Sequence, residues 1–104
     1  MILTTTETVP GRQVTEILGV VRGGTTRARH VGRDLMAQLK NVVGGEVASY
    51  TKLMAEAREQ AMDRLRASAE KEGADAVIGV RFFTTMLSQG MAEICAYGTA
   101  VKLA

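Results

Sequence analysis

The chain has 104 residues, which is enough for one domain and too few for two. Apolar residues make up 46% of it and charged residues 23%, with a net charge of +2, as is ordinary for a soluble globular protein. The single cysteine excludes a disulfide framework and a cysteine-rich zinc site. No apolar run approaches the roughly 18 residues that span a bilayer, and the first residues lack the features of a signal peptide. We therefore expect a cytoplasmic protein without a membrane partner.

Most of the apolar residues are small. Fourteen alanines, eleven valines and eleven glycines stand beside no tryptophan and only four aromatic residues, which are Tyr50, Phe82, Phe83 and Tyr97. Aromatic side chains bury the most area, so the core of an isolated chain would be thin. Close packing against a second copy of the chain is therefore expected.

The predicted elements begin with two strands. Residues 1–10 form a short β-favouring start that a Pro-Gly turn closes. Residues 13–22 are rich in β-branched side chains and predict the second strand, in which Gly19 indicates a bulge or a close backbone approach. Apolar residues at spacings of four, four and three then predict a helix over residues 29–43, which a glycine pair ends.

The longest predicted helix covers residues 46–72, where apolar and small residues recur at spacings of three and four before Gly73 ends it. It would be about 40 Å long, more than the chain needs to cover its own sheet. Part of it should therefore reach toward a neighbouring subunit. Two more strands follow, over residues 76–86 and 91–103, joined by a hairpin at residues 87–90.

This order, ββααββ, predicts the α+β class with one domain over residues 1–104. The sheet should be largely antiparallel and packed by the two helices. The last strand is apolar on both faces, and strands of that kind are normally covered on both. One layer of helices covers one face, so the other face needs a partner subunit.

The most charged stretch outside the helices spans residues 22–33, a glycine-rich loop that enters a helix. It holds the only histidine and four arginines, namely His30, Arg22, Arg27, Arg29 and Arg33. Free amides at a helix N-terminus and guanidinium groups both favour phosphate or carboxylate. The loop lacks the spacing of a Walker loop and of a Gly-x-Gly-x-x-Gly motif. Two interpretations stay open, a site for a phosphate-bearing or acidic ligand and arginines that are solvated or bridge subunits.

Metal binding and thiol chemistry depend on few residues. Soft metals prefer thiolate and imidazole ligands, and the chain offers only Cys95 and His30, with Glu93 two residues before the cysteine. Across a ring axis, one such residue per subunit would become several ligands. Cys95 and His30 are also the one nominal thiol–imidazole pair, although a buried hydrophobic cysteine is the commoner role. We therefore do not expect an enzyme.

Nucleic-acid binding is not expected either. The net charge is only +2, and acidic residues are spread along the longest helix. Base stacking needs exposed aromatic rings, whereas the four aromatic residues occupy positions whose periodicity predicts a core.

Four segments resemble the YbjQ-like family of small bacterial proteins. They are Arg33-Asp34 with Val43-Gly44-Gly45 and Tyr50, and the segments 73–80, 98–102 and 19–23. The resemblance covers essentially the whole chain, in order and with matching spacing. It implies a dodecin-like α+β subunit that assembles into a ring of five, with two rings pairing into ten. Members of this family are labelled heavy-metal-binding, and no catalytic residues are defined for them.

Together these observations predict a homo-oligomer, pentameric or decameric, that binds a small ligand, such as an anion, or a metal ion. The cofactor stays unknown, with a metal ion as the candidate. The alternatives are a structural or interaction subunit of a larger complex without its own ligand and, further off, a thiol-dependent enzyme. The candidate ligand-binding residues are Arg22, Arg27, Arg29, Arg33, Asp34, Tyr50 and Asp75. The candidate metal ligands are His30, Glu93 and Cys95. For Asp75, a structural role is the alternative, in which it caps backbone amides or pairs with Arg33.

Overall fold

The computed structural model describes residues 1–25, 47–88 and 91–104. These ranges contain four strands and one helix, which are β1 (Ile2–Leu3), β2 (Val14–Gly24), α1 (Val47–Lys71), β3 (Ala76–Ser88) and β4 (Met91–Leu103). The strand order in the sheet is β1-β3-β4-β2, with β1 parallel to β3 and the other two pairings antiparallel. The α+β class and the largely antiparallel sheet are confirmed. The predicted helix over residues 29–43 lies outside the described residues.

Small residues let α1 lie unusually close to the sheet. Its buried seam consists of Ala57, Ala61, Leu65 and Ala69. A Cβ atom added to Gly23 of β2 would stand only 2.5 Å from the carbonyl oxygen of Ala61, so only glycine permits this approach. Among the described residues, the largest fully buried side chains are Leu65, Val77 and Val101. This agrees with the thin core that the composition predicts.

The C-terminal end of α1 is fixed by a Schellman motif. Gly73 has a φ of 74°, and its amide donates to the carbonyl oxygen of Glu70 at 3.0 Å. The amide of Ala74 donates to the carbonyl oxygen of Ala69 at 3.1 Å. The predicted glycine stop is therefore confirmed. Within the described ranges, no helix combines the length and the apolar character needed to cross a membrane.

The second strand carries the predicted bulge. The register of β2 against β4 shifts between Ile17 and Gly19, and Gly19 has a φ of 129°. Leu18 packs on the main core, while Ile17 and Val20 turn to solvent and are 71% and 77% exposed. The edge strand β2 therefore presents two large apolar side chains.

The two faces of the sheet are covered differently. The main core lies between α1 and residues Val21, Val77, Val80, Ile94, Ala96 and Ala100. A smaller cluster on the opposite face contains Ala76, Val101 and Leu103, packed by Val9, Val14 and Ile78. Beyond this smaller cluster, the described part of the chain leaves that face open, and we call it the open face. The prediction that β4 is apolar on both faces is confirmed.

The expectation that the aromatic residues form the core is wrong for three of them. Phe82, Phe83 and Tyr97 are 45%, 46% and 40% exposed. The helix lies mainly over β2 and β4, so the end of β3 at Phe82 is uncovered. Phe83 and Tyr97 point to the open face. Tyr50 belongs to α1, and its side chain lies outside the described set.

Candidate functional site

A cavity of about 360 Å³ lies on the open face, where β2 ends. We call it the Cys95 cavity. It is lined by Arg22, Gly24, Thr25, Phe83, Glu93 and Cys95. The register explains this grouping, because Gly24 of β2 and Phe83 of β3 lie opposite Cys95 on its two sides. Side chains from three strands therefore converge at one place.

The backbone around the cavity is held by two sets of hydrogen bonds. The amide of Thr25 donates to the carbonyl oxygen of Ile94 at 3.0 Å, and the amide of Ile94 donates to the Thr25 hydroxyl at 3.3 Å. From α1, the guanidinium of Arg64 donates to the carbonyl oxygen of Gly24. Thr25 is 4% exposed, so these bonds are shielded from water. The end of β2 is thereby fixed against both β4 and the helix.

Gly24 gives the cavity its depth. A Cβ atom at this position would lie 3.1 Å from Oε1 of Glu93 and 3.9 Å from Sγ of Cys95. The carboxylate and the thiol therefore border the same space. A larger residue at position 24 would fill it.

The Cys95 thiol is held in its protonated form. The cysteine is 5% exposed, and burial is the main reason why its pKa is raised. The negative charge of Glu93 raises the pKa further, while the positive charge of Arg22 and a backbone hydrogen bond from Gly23 oppose the shift. A thiol of this kind is a poor nucleophile at neutral pH. A metal ion that binds it must displace its proton.

Arg22, Glu93 and Cys95 are the predicted site residues that the structure brings together. The carbonyl oxygen of Arg22 accepts a hydrogen bond of 3.0 Å from the hydroxyl of Ser68, so this arginine is anchored to α1. Five other predicted residues lie outside the described ranges, namely Arg27, Arg29, His30, Arg33 and Asp34. The same holds for the side chain of Tyr50.

Asp75 lies at the opposite end of the sheet. Its Oδ2 accepts a hydrogen bond of 2.8 Å from the amide of Leu103, and its own amide donates to the carbonyl oxygen of Val101 at 2.9 Å. Leu103 is six residues along β4 from Tyr97, the partner of Arg22, which corresponds to about 20 Å. Within one chain, Asp75 therefore ties the sheet together and is remote from the Cys95 cavity.

Comparison with known proteins assigns the family. A family model with the description "Putative heavy-metal-binding" matches residues 1–104. The chain belongs to the YbjQ family. Relatives called UPF0145 protein come from Psychromonas ingrahamii, 56% identical over 99% of this chain and 98% of the relative, and from Archaeoglobus fulgidus, 57% identical over 99% and 95%. A third, from Methanosarcina acetivorans, is 53% identical over 99% and 97%.

The archaeal relatives correct the expectation that the YbjQ family is bacterial. A solved structure with the same fold is that of a protein of unknown function of the DUF74 family from Pediococcus pentosaceus. It is 15% identical, has a TM-score of 0.59, and the match covers 100% of this chain and 98% of that one. At this identity the likeness concerns the fold alone.

The donor set of this YbjQ-family chain fits the family description in part. A thiol and a carboxylate meet at the Cys95 cavity, and thiolate is the ligand that soft metal ions prefer. Among the described residues, no group of three His, Cys, Asp or Glu side chains is placed to hold a metal ion. Within the described residues, Cys95 and Glu93 would supply two ligands to such an ion, with Arg22 lining the same cavity.

Sequence reasoning missed Phe83 and Gly24 as cavity residues and Arg81 as a neighbour of Tyr97. The available signal was the hairpin, because Ser88 pairs with Met91 and the strands run antiparallel from there. Counting from that pair, back along β3 and forward along β4, places Phe83 opposite Ala96, the neighbour of Cys95. The register shift between Met86 and Ser88 then brings Phe83 opposite Cys95.

Proposed function

We propose that this YbjQ-family protein is a cytoplasmic, homo-oligomeric binding protein that takes a soft metal ion in the Cys95 cavity. The observation that carries the proposal is the meeting of the Cys95 thiol and the Glu93 carboxylate at one cavity. Soft ions such as Cu(I) and Zn²⁺ are selected by thiolate, and the carboxylate adds a charged oxygen ligand. The description of the family model supports the same class of ligand.

Binding of the ion is coupled to loss of a proton. Because burial and Glu93 raise the pKa of Cys95, the ion competes with a tightly held proton, and affinity rises with pH. Two ligands from one chain leave other positions on the ion open. In the proposed assembly these positions are filled by groups from a second copy or by water.

Self-association is proposed to use the edge strand β2. Ile17 and Val20 are 71% and 77% exposed there, and an edge strand offers unpaired backbone groups to a neighbour. A pentamer or a decamer is the proposed assembly. It buries apolar surface that the chain alone leaves in water.

The first test is native mass spectrometry with elemental analysis of the same gently purified sample. It should give a ring mass with bound metal. Titration with Cd²⁺, Zn²⁺ and Cu(I) should then show binding that Cys95→Ser abolishes and Glu93→Gln weakens. Glu59→Gln, which removes an exposed charge from α1, is the matched control and should bind normally. Failure of the assembled protein to bind any of the three ions, or full binding by Cys95→Ser, would overturn the proposal.

A second candidate is an interaction subunit without its own ligand. It is favoured by the exposed apolar side chains of Ile17, Val20 and Phe82. An empty ring in the mass spectrum that binds none of the ions would support it. Thiol catalysis is disfavoured in this proposal, because nucleophilic cysteines need a lowered pKa and that of Cys95 is raised.

A further inference from the structure

The open face carries two aromatic rings flanked by two arginines. Tyr97 of β4 lies directly opposite Arg22 of β2 on one side and Arg81 of β3 on the other. Phe83 lies two residues further along β3 on the same face, with its ring centroid 5.8 Å from that of Tyr97 and the ring planes at 57°. Both rings are nearly half exposed. We call these four residues the aromatic–arginine platform.

The arginines of the platform are held by hydrogen bonds. Nη1 of Arg81 donates to the carbonyl oxygens of Thr5 at 3.0 Å and Val80 at 2.8 Å, which fixes one cation at the rim. The backbone of Arg22 is fixed by Ser68 of α1. Hydrogen bonds that hold the Arg81 guanidinium and the Arg22 backbone reduce the ordering that binding would otherwise require.

We propose that the platform binds nucleotides, with the base stacked on Phe83 and the phosphate paired with Arg22, the two platform residues that also line the Cys95 cavity. Stacking on sheet aromatics and pairing with guanidinium groups are the contacts by which proteins bind unpaired nucleotides. The adjoining Cys95 cavity, of about 360 Å³, has the size of a small-molecule pocket. The expectation against nucleic acid assumed buried aromatic residues, and that premise is wrong for these two.

Charge favours this occupant over a second copy packed face to face. Both arginines of the platform carry positive charge, so a symmetric contact would bring like charges together. An anionic ligand with a flat ring satisfies both the charges and the aromatic faces. The proposal uses neither the thiol of Cys95 nor the carboxylate of Glu93, so a failure of metal binding would not by itself overturn it.

The test is fluorescence anisotropy with a labelled single-stranded oligonucleotide of about 16 nucleotides, the upper end of common site sizes. Calorimetry with AMP tests the free nucleotide. Phe83→Leu and Phe82→Leu form a matched pair, because the two rings are 46% and 45% exposed but point to opposite faces. Phe83→Leu should weaken binding at least about fivefold, the lower limit for loss of one stacked base. Phe82→Leu should leave it unchanged.

Charge is tested by the salt dependence of binding. Arg22→Gln should reduce the slope of log K against log salt by about 0.7, the value for one phosphate contact on a single strand. Arg66→Gln, an exposed arginine on α1, is the control and should not change the slope. Circular dichroism and native mass should match the wild type for every variant.

Each outcome either supports or overturns the proposal that the platform binds nucleotides. Binding of the oligonucleotide without AMP supports a single strand as the source, and binding of AMP supports a free nucleotide. Absence of binding by both at millimolar concentration would overturn the proposal. So would an equal loss in Phe82→Leu and Phe83→Leu, or an assembled protein in which a second copy covers Tyr97.

Discussion

Gly23 and Gly24 at the end of β2 have different roles, because Gly23 faces the helix α1 and Gly24 faces the Cys95 cavity. A Cβ atom at Gly23 would stand 2.5 Å from the carbonyl oxygen of Ala61 and 2.7 Å from the carbonyl carbon of Arg64. Both are backbone atoms of α1. The atoms nearest to a Cβ atom at Gly24 would be Oε1 of Glu93 at 3.1 Å, the backbone oxygen of Ile94 at 3.7 Å and Sγ of Cys95 at 3.9 Å. Neither glycine has a positive φ, so the backbone conformation accepts alanine at both positions. Only the contacts of the added Cβ atom distinguish the two substitutions.

The expected cost follows from these distances. To reach an ordinary separation of 3.4 Å, α1 must move by about 1 Å at Gly23, and its packing on the sheet opens. Overpacking costs about 1–3 kcal/mol, and a backbone obstacle places Gly23→Ala near the upper end. At Gly24 the carboxylate of Glu93 can rotate, and alanine restricts the unfolded chain, so the change in free energy of unfolding should stay within about 1 kcal/mol.

Thermal unfolding at one fixed protein concentration measures the difference, because self-association makes the melting temperature depend on concentration. We expect Gly23→Ala to lower the Tm by about 10–20 °C and Gly24→Ala to change it little. In the Cd²⁺ titration, Gly24→Ala should weaken binding because its methyl group would occupy space that borders both the Glu93 carboxylate and the Cys95 thiol. A Gly23→Ala variant as stable as the wild type, or a Gly24→Ala variant that is the less stable of the two, would refute the reasoning.

Three further predictions concern the core, the far end of the sheet and the thiol. Leu65→Ala should lower the free energy of unfolding by about 2–5 kcal/mol in urea titrations, because Leu65 is completely buried; a loss well below 1 kcal/mol would contradict the packing described. Asp75→Ala should cost about 1–3 kcal/mol in the same assay, because the amide of Leu103 loses its acceptor, while Asp75→Asn retains most stability. Metal binding should be unchanged in both Asp75 variants, and weaker binding would place Asp75 in the ligand site. The pH midpoint for reaction of Cys95 with a thiol reagent should lie above that of free cysteine, because the pKa of Cys95 is raised. Glu93→Gln should lower this midpoint and Arg22→Gln should raise it. Shifts of the opposite sign would show that the effects of these two charges on the Cys95 pKa are misassigned.

Periodicity and glycine positions were enough to predict most of the described elements. The helix expected over residues 46–72 is observed as Val47–Lys71, and the strand expected over residues 91–103 is observed as Met91–Leu103. The reason is local, because a long seam of apolar residues ending at Gly73 fits one helix only. The bulge at Gly19 was predictable on the same ground, as an isolated glycine inside a strand.

The exposed ring of Phe83 was not predicted, and a second bulge explains why. Simple alternation from the buried Val77 would place Phe83 on the helix face of β3. The register shifts between Ile78 and Arg81, around Gly79 with its φ of 62°. After the shift, Phe82 faces the helix side and Phe83 faces the open side. Alternation therefore fails at one residue, and every side chain beyond it changes face.

The proposed metal site and the aromatic–arginine platform share Arg22 and Phe83. A change of charge at the metal site should therefore change the affinity of the platform for a nucleotide. Before binding, Glu93 places one negative charge beside Arg22, and the protonated thiol of Cys95 adds none. A divalent ion on the thiolate and the carboxylate cancels both negative charges, whereas a monovalent ion leaves one. Removing one negative charge at about 4 Å from a phosphate is worth about 1 kcal/mol in water. A divalent ion should therefore strengthen nucleotide binding, a nucleotide should strengthen ion binding equally, and Cu(I) should produce neither effect.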